Sequence, residues 1–150
     1  LPFESYAVIR TQAQLASHTL PSSEQFQLGG SYSVRGYPEG DYLADRGGTL
    51  NLDWIFPMYC IPRSWKLSYS EVPLRHQIEP LIFVDVGGGK LKKVLPGEMR
   101  QKFLLGAGGG VRVRILKNIF LRCEWAKRIG DSPVGSARPS TFRFALQTEM

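Results

Sequence analysis

Hydrophobic and polar residues alternate with a period of two along much of the chain. In residues 78–86, Ile78, Ile82, Val84 and Val86 fall on one face, and Glu79, Leu81, Phe83 and Asp85 on the other. Side chains alternate across a strand, so this segment predicts a strand with one aliphatic and one mixed face. In residues 119–129, Ile119, Leu121, Cys123 and Trp125 oppose Arg122, Glu124 and Arg128. In residues 103–115, Phe103, Leu105, Ala107, Val111, Val113 and Ile115 oppose Gly106, Gly108, Gly110, Arg112 and Arg114. The last segment, 141–149, sets Phe142, Phe144 and Leu146 against Arg143, Gln147 and Glu149. Two earlier segments behave alike: Leu50, Leu52, Trp54 and Phe56 alternate with Asn51 and Asp53, and Ile9, Ala13 and Leu15 with Arg10, Gln12 and Gln14.

These six segments predict an all-β protein. Alternation by itself fits a soluble sandwich as well as a membrane barrel, because the polar face can be either an outer surface or a wet lumen. Length separates the two. Soluble strands cluster at about five or six residues, whereas a tilted membrane-spanning strand needs about nine to eleven. Several of the segments reach that length, and their polar faces carry Arg and Glu in mid-strand, as a water-filled interior would. The connections fit: a tight turn at Leu116-Lys117-Asn118, against long Gly/Pro-containing loops over 87–102 and 130–139. Residues 17–47 form a far longer connection of about thirty residues, a length usually reserved for function or disorder.

Composition changes this picture little. The chain of 150 residues suggests one domain, and 43% hydrophobic with 21% charged residues argues against disorder. Sixteen Gly and ten Pro punctuate it throughout, favouring short elements and turns over long helices. The net charge of +6 is compatible with nucleic acid, an anionic membrane surface or a charged channel. No signal peptide opens the chain, and no apolar run is long enough for a spanning helix, although a membrane barrel needs no such run. Cys60 and Cys123 form no CxxC and have no nearby His pair, so neither a zinc site nor a redox motif is predicted.

The long connection holds the most distinctive run, Gly29-Gly30 followed by Val34-Arg35-Gly36-Tyr37. A second motif, Phe83-Val84-Asp85-Val86-Gly87, has the form Phe-x-Asp-x-Gly. Together they resemble the signatures of the outer-membrane polypeptide-transport superfamily, which includes the two-partner-secretion transporters of haemolysin-activator type, the barrel-assembly proteins and the bacterial surface antigens. The resemblance implies an antiparallel transmembrane β-barrel in the bacterial outer membrane, of which residues 1–150 are the C-terminal part, with about six strands and a long loop (17–47) inserted into the lumen. Missing strands and periplasmic domains are expected upstream of Leu1. It further implies that Arg35 at the loop tip pairs with Asp85 on the inner wall, where the alternation independently places that aspartate. The partners implied are a client polypeptide, secreted or inserted, and outer-membrane lipid. The run Ser22-Ser23-Glu24-Gln25-Phe26 is more similar to the secretion branch.

Three features depart from that pattern. The connection 57–77 is long for a periplasmic turn, with a strand extension or insertion expected in 64–72. The chain ends in Gln147-Thr148-Glu149-Met150 where such barrels commonly end in an aromatic residue. Six strands are also fewer than the eight or so of a closed barrel.

Enzymatic chemistry finds no footing. Residues 106–110 fail the dinucleotide pattern because Val111 stands at the third glycine, and Gly89-Lys90 lacks the rest of a P-loop, so no nucleotide is expected. These glycines are expected to flatten an inner wall where the loop packs. His18 and His76 are too isolated for a metal site, no GxSxG elbow occurs, and Asp41 and Asp45 read as solvated loop carboxylates. Neither a catalytic residue nor a cofactor is predicted. The alternative from another class is a soluble basic β-rich module that binds nucleic acid through Tyr32, Tyr37 and Tyr42. Alternating lumen arginines account for the charge equally well.

Overall fold

A computed structural model of the chain describes residues 4–62, 64–66, 73–116, 119–130 and 140–148. Six long strands form one antiparallel sheet: β1 (Tyr6–Gln14), β4 (Arg46–Ile55), β5 (Ile78–Lys90), β6 (Gln101–Leu116), β7 (Ile119–Ile129) and β8 (Ser140–Thr148). They lie side by side in chain order, every pair antiparallel. The strands run from 9 to 16 residues, within or beyond the length of a tilted membrane crossing. The sheet is open, with β1 and β8 at its edges. All-β architecture and strand number agree with the sequence.

Residues 15–45, between β1 and β4, lie across one face of the sheet. Within them β2 (Phe26–Leu28) and β3 (Tyr42–Ala44) pair as a short antiparallel ribbon. Three-residue strands are too short to show a period, so the ribbon is invisible in the sequence. Its side chains create the larger apolar core, where Leu28, Val34, Tyr37, Tyr42 and Ala44 pack with Leu91 and Leu104. A smaller cluster joins Ile55, Leu81, Phe83 and Ala126.

Two strands are longer than their alternation indicates. β4 begins at Arg46 rather than Leu50, and β5 continues to Lys90, leaving 91–100 as the connection to β6. The added stretches, Gly47-Gly48 and Gly87-Gly88-Gly89, fall in or next to the predicted loops 17–47 and 87–102. Gly47, Gly87 and Gly89 remain in the ladder under the cover of the loop, as expected of Gly89: a methyl group on Gly47 would meet the Phe26 ring at 2.9 Å, one on Gly87 would meet Val34 at 2.6 Å and one on Gly89 would meet Ala44 at 2.6 Å. The predicted turn at 116–118, most of the loop 130–139, the extension in 64–72 and the final two residues lie wholly or partly outside the described residues.

The two faces differ as the alternation requires. Thr49, Asn51, Asp53 and Ile55 of β4, and Leu81, Phe83 and Asp85 of β5, are buried on the face that carries the loop. Their neighbours Leu50, Leu52, Trp54, Ile82 and Val84, with Phe103, Trp125, Phe142, Phe144 and Leu146, form an exposed apolar outer face. Such a surface is a liability in water and a match for lipid. Arginine in place of Val84 is expected to cost about 2–4 kcal/mol near the bilayer midplane. Denaturant unfolding of the full-length protein in lipid vesicles, read by heat-modifiable gel mobility, measures that cost.

Candidate functional site

Val34-Arg35-Gly36-Tyr37 forms the tip of the loop, and each of its residues meets a different part of the wall. Val34 is buried over Gly87. Gly36 has φ of +95°, a conformation L side chains rarely adopt, and its α-carbon faces the β7 backbone, where an added methyl would stand 2.8 Å from the Arg128 nitrogen. The buried Tyr37 places its hydroxyl 3.2 Å from the Leu105 carbonyl oxygen and 3.1 Å from that of Ile129, on adjacent strands. Gly29 and Gly30, with φ of +92° and +107°, start the tight turn behind the tip. There the Gly29 amide donates to the Ser33 hydroxyl at 3.2 Å and the Gly30 amide to the Val34 carbonyl at 3.2 Å.

Arg35 is the centre. Its side chain is only 2% exposed, yet it carries a full charge into the space between loop and sheet. The guanidinium grips Asp85 in a two-pronged contact, Nε to Oδ2 at 2.7 Å and Nη2 to Oδ1 at 2.7 Å. The Arg35 backbone amide also donates to Asp85, at 3.0 Å. Nη2 bonds Asp53 in addition, and Nη1 donates to Glu124 at 3.0 Å. The guanidinium stacks 3.6 Å from the centre of the Phe83 ring. Burial alone disfavours this charge, but the Asp85 and Asp53 carboxylates outweigh it and hold the Arg35 pKa above the ordinary guanidinium value.

The acids are themselves shared. Asp53 accepts from Arg10 on β1 at 2.7 Å and pairs with Arg122 on β7 at 3.4 Å; Glu124 accepts from Arg122 at 2.5 Å. Asn51 donates to Asp85 at 2.8 Å and to the Ser33 carbonyl at 2.6 Å, tying wall to loop. Three arginines and three carboxylates thus make an electrically neutral cluster. Among the described residues no group of His, Cys, Asp or Glu is arranged to hold a metal ion.

Strand β6 makes room for it. Gly106 lies under the Arg35 carbonyl, Gly108 under the Phe83 ring and Gly110 beside the Glu124 side chain. Each would clash if it bore a methyl group. The sequence singled out Arg35, Asp85, Phe83 and Gly87, and the structure brings them to one place. It left out Asp53, Glu124, Arg10, Arg122 and Asn51. All five sit on faces that the alternation marked as polar, so the available signal was a polar or charged residue in mid-strand on such a face. Asp41 and Asp45, read as solvated, are instead buried; Asp41 pairs with Lys102 at 3.2 Å, and Asp45 accepts from the Leu20 and Lys92 amides at 2.8 Å each. Cys60 and Cys123 are unpaired.

A lipid-compatible outer face and long antiparallel strands are the architecture of an outer-membrane barrel. Residues 8–113, a span that includes both motifs, match the family model of the haemolysin secretion/activation proteins ShlB/FhaC/HecB, and the chain belongs to that family. It is an outer-membrane protein of polypeptide transport, of the two-partner-secretion type. Comparison with curated proteins and with solved structures yields no significant match.

Two outcomes test this geometry. Gly106→Ala is expected to displace the loop tip, since the contact it meets is backbone; faster chymotrypsin cleavage within residues 15–45 of the membrane-embedded protein is the readout. The Asp45 pKa is lowered, chiefly by the Leu20 and Lys92 amides and further by Gln25. Its hold on the loop base is therefore complete above the ordinary aspartate value of about 3.9 and is lost as pH falls through the lowered one. Hydrogen exchange at the Leu20 and Lys92 amides, corrected for intrinsic rate, should stay flat from neutral pH down to that value and rise below it.

Proposed function

We propose that residues 15–45 are a lumen loop anchored to the barrel wall through Arg35, and that this anchored state is the resting state of a transporter for client polypeptides. The observation that carries the reading is one buried guanidinium answered by carboxylates from β4, β5 and β7. A charge taken from water needs such partners, and losing one leaves the others uncompensated. Residues 1–150 form the C-terminal part of the barrel, and further strands close it at the free edges of β1 and β8. The apolar outer face meets outer-membrane lipid, and the client passes on the loop side. Transport proceeds without covalent catalysis, nucleotide or cofactor. The nucleic-acid alternative draws little support, because Tyr37 and Tyr42 are buried and only Tyr32 is open for stacking.

Asp85→Asn and Arg35→Ala are each expected to weaken loop docking by about 3–5 kcal/mol, the usual effect of breaking a buried pair. Arg35→Lys should restore docking only in part, since an ammonium cannot fork onto Asp85. Chymotrypsin sensitivity of the loop and secretion of the cognate client are the two readouts. If Asp85→Asn changes neither, the anchoring role is wrong.

A further inference from the structure

We propose that four arginines on the loop-facing side of the sheet, Arg112 and Arg114 on β6, Arg122 on β7 and Arg143 on β8, form a track that binds acidic segments of the client polypeptide during passage. The proposal rests on the loop side being the transport path. Arg112 stands directly opposite Arg122 in the β6–β7 register, where like charges destabilise a sheet, and opposite Glu79 in the β5–β6 register, with which it forms no salt bridge. Arg114 lies one position further along the same wall, over the Phe120 ring at 5.0 Å. Arg143 stands opposite Glu124, but the Glu124 carboxylate is engaged by Arg35 and Arg122. The partner left to Arg143 is the exposed Glu39, at 3.5 Å.

Three donors on this patch are buried and have no hydrogen-bond partner among the described residues: Nε of Arg114, Nε of Arg122 and Nη1 of Arg143. Buried donors are ordinarily satisfied, and an orphaned one calls for an acceptor. Neither Arg112 nor Arg114 forms a salt bridge among the described residues, whereas every arginine of the anchor cluster does. A cavity of about 680 Å³ opens beside the patch, between Arg122, Arg143, Arg10 and the loop residues Ser31 and Tyr32. Two of the four arginines, Arg122 and Arg143, line it.

The chemistry that fits is a carboxylate. A planar guanidinium receives it through two parallel hydrogen bonds, and its charge relieves the Arg112–Arg122 repulsion. Aspartate and glutamate side chains on an extended client supply such groups in series. The lipid phosphates are on the wrong side, since the apolar residues of these strands face outward. Several weak contacts in line let a chain enter and leave, as conduction through a lined pore requires.

The test uses the full-length transporter in detergent micelles with dye-labelled oligo-glutamate and oligo-lysine, followed by fluorescence anisotropy. Oligo-glutamate is expected to bind and oligo-lysine not to. Arg112→Gln/Arg114→Gln should weaken oligo-glutamate binding about ten-fold or more, with loop protease resistance unchanged. Equal binding of the two peptides, or an unchanged affinity in the double variant, overturns the track. Acidic residues elsewhere in the barrel that already occupy these arginines would give that second result. If the double variant loses heat-modifiable mobility and so does not assemble, Arg112→Gln alone carries the same comparison. Failure of the loop anchor shows itself separately, in proteolysis of the Arg35 and Asp85 variants.

Discussion

The arrangement depends on one buried positive charge. A guanidinium shielded from water keeps its charge only where carboxylates and hydrogen-bond acceptors replace the hydration it has lost. For Arg35 these come from Asp53, Asp85 and Glu124, on three different strands. Their convergence fixes more than the loop. A one-residue slip of β4, β5 or β7 would turn its acid to the outer, apolar face. The same demand reaches β6, which lies between β5 and β7 and must stay bare where Phe83 and Glu124 lean across it.

Much of this was legible in the chain itself. Period two on residues 78–86 assigned Asp85 to the side opposite Ile82 and Val84, where the structure has it. The motif at 34–37 marked the loop tip. What alternation cannot supply is convergence. Asp53 and Glu124 each looked like one polar residue on one polar face, and they meet only because Asp53 pairs with Phe83 across β4–β5 and Glu124 faces Gly110 across β6–β7. Register is a property of pairs of strands, so no single segment contains it. The strand ends at Gly47 and Gly87 were misread for a related reason. Glycine signals a break by local propensity, and here the cover of Phe26, Leu28 and Val34, distant in sequence, overrides that propensity.

The loop is held at two levels that differ in chemistry. Its tip rests on the ionic cluster, in which three arginines balance three carboxylates. Its base rests on Asp45, which gathers amides from residues 20 and 92 and so joins two connections at the same end of the sheet. Lys102 and Asp41, 3.2 Å apart, add an ion pair between these levels. Withdrawing the tip would separate opposite charges and leave the cluster with a net negative charge. Withdrawing the base would remove only hydrogen bonds to one carboxylate.

The distances in sequence between Arg35 and its acids carry a consequence for how the molecule is made. Asp53 follows Arg35 by 18 positions, Asp85 by 50 and Glu124 by 89. The arginine emerges first and its full complement of partners is complete only once β7 has taken its place. Docking on all three acids thus requires β4, β5 and β7 to be in place together. A loop tip held by all three acids therefore means that these three strands are already paired in register.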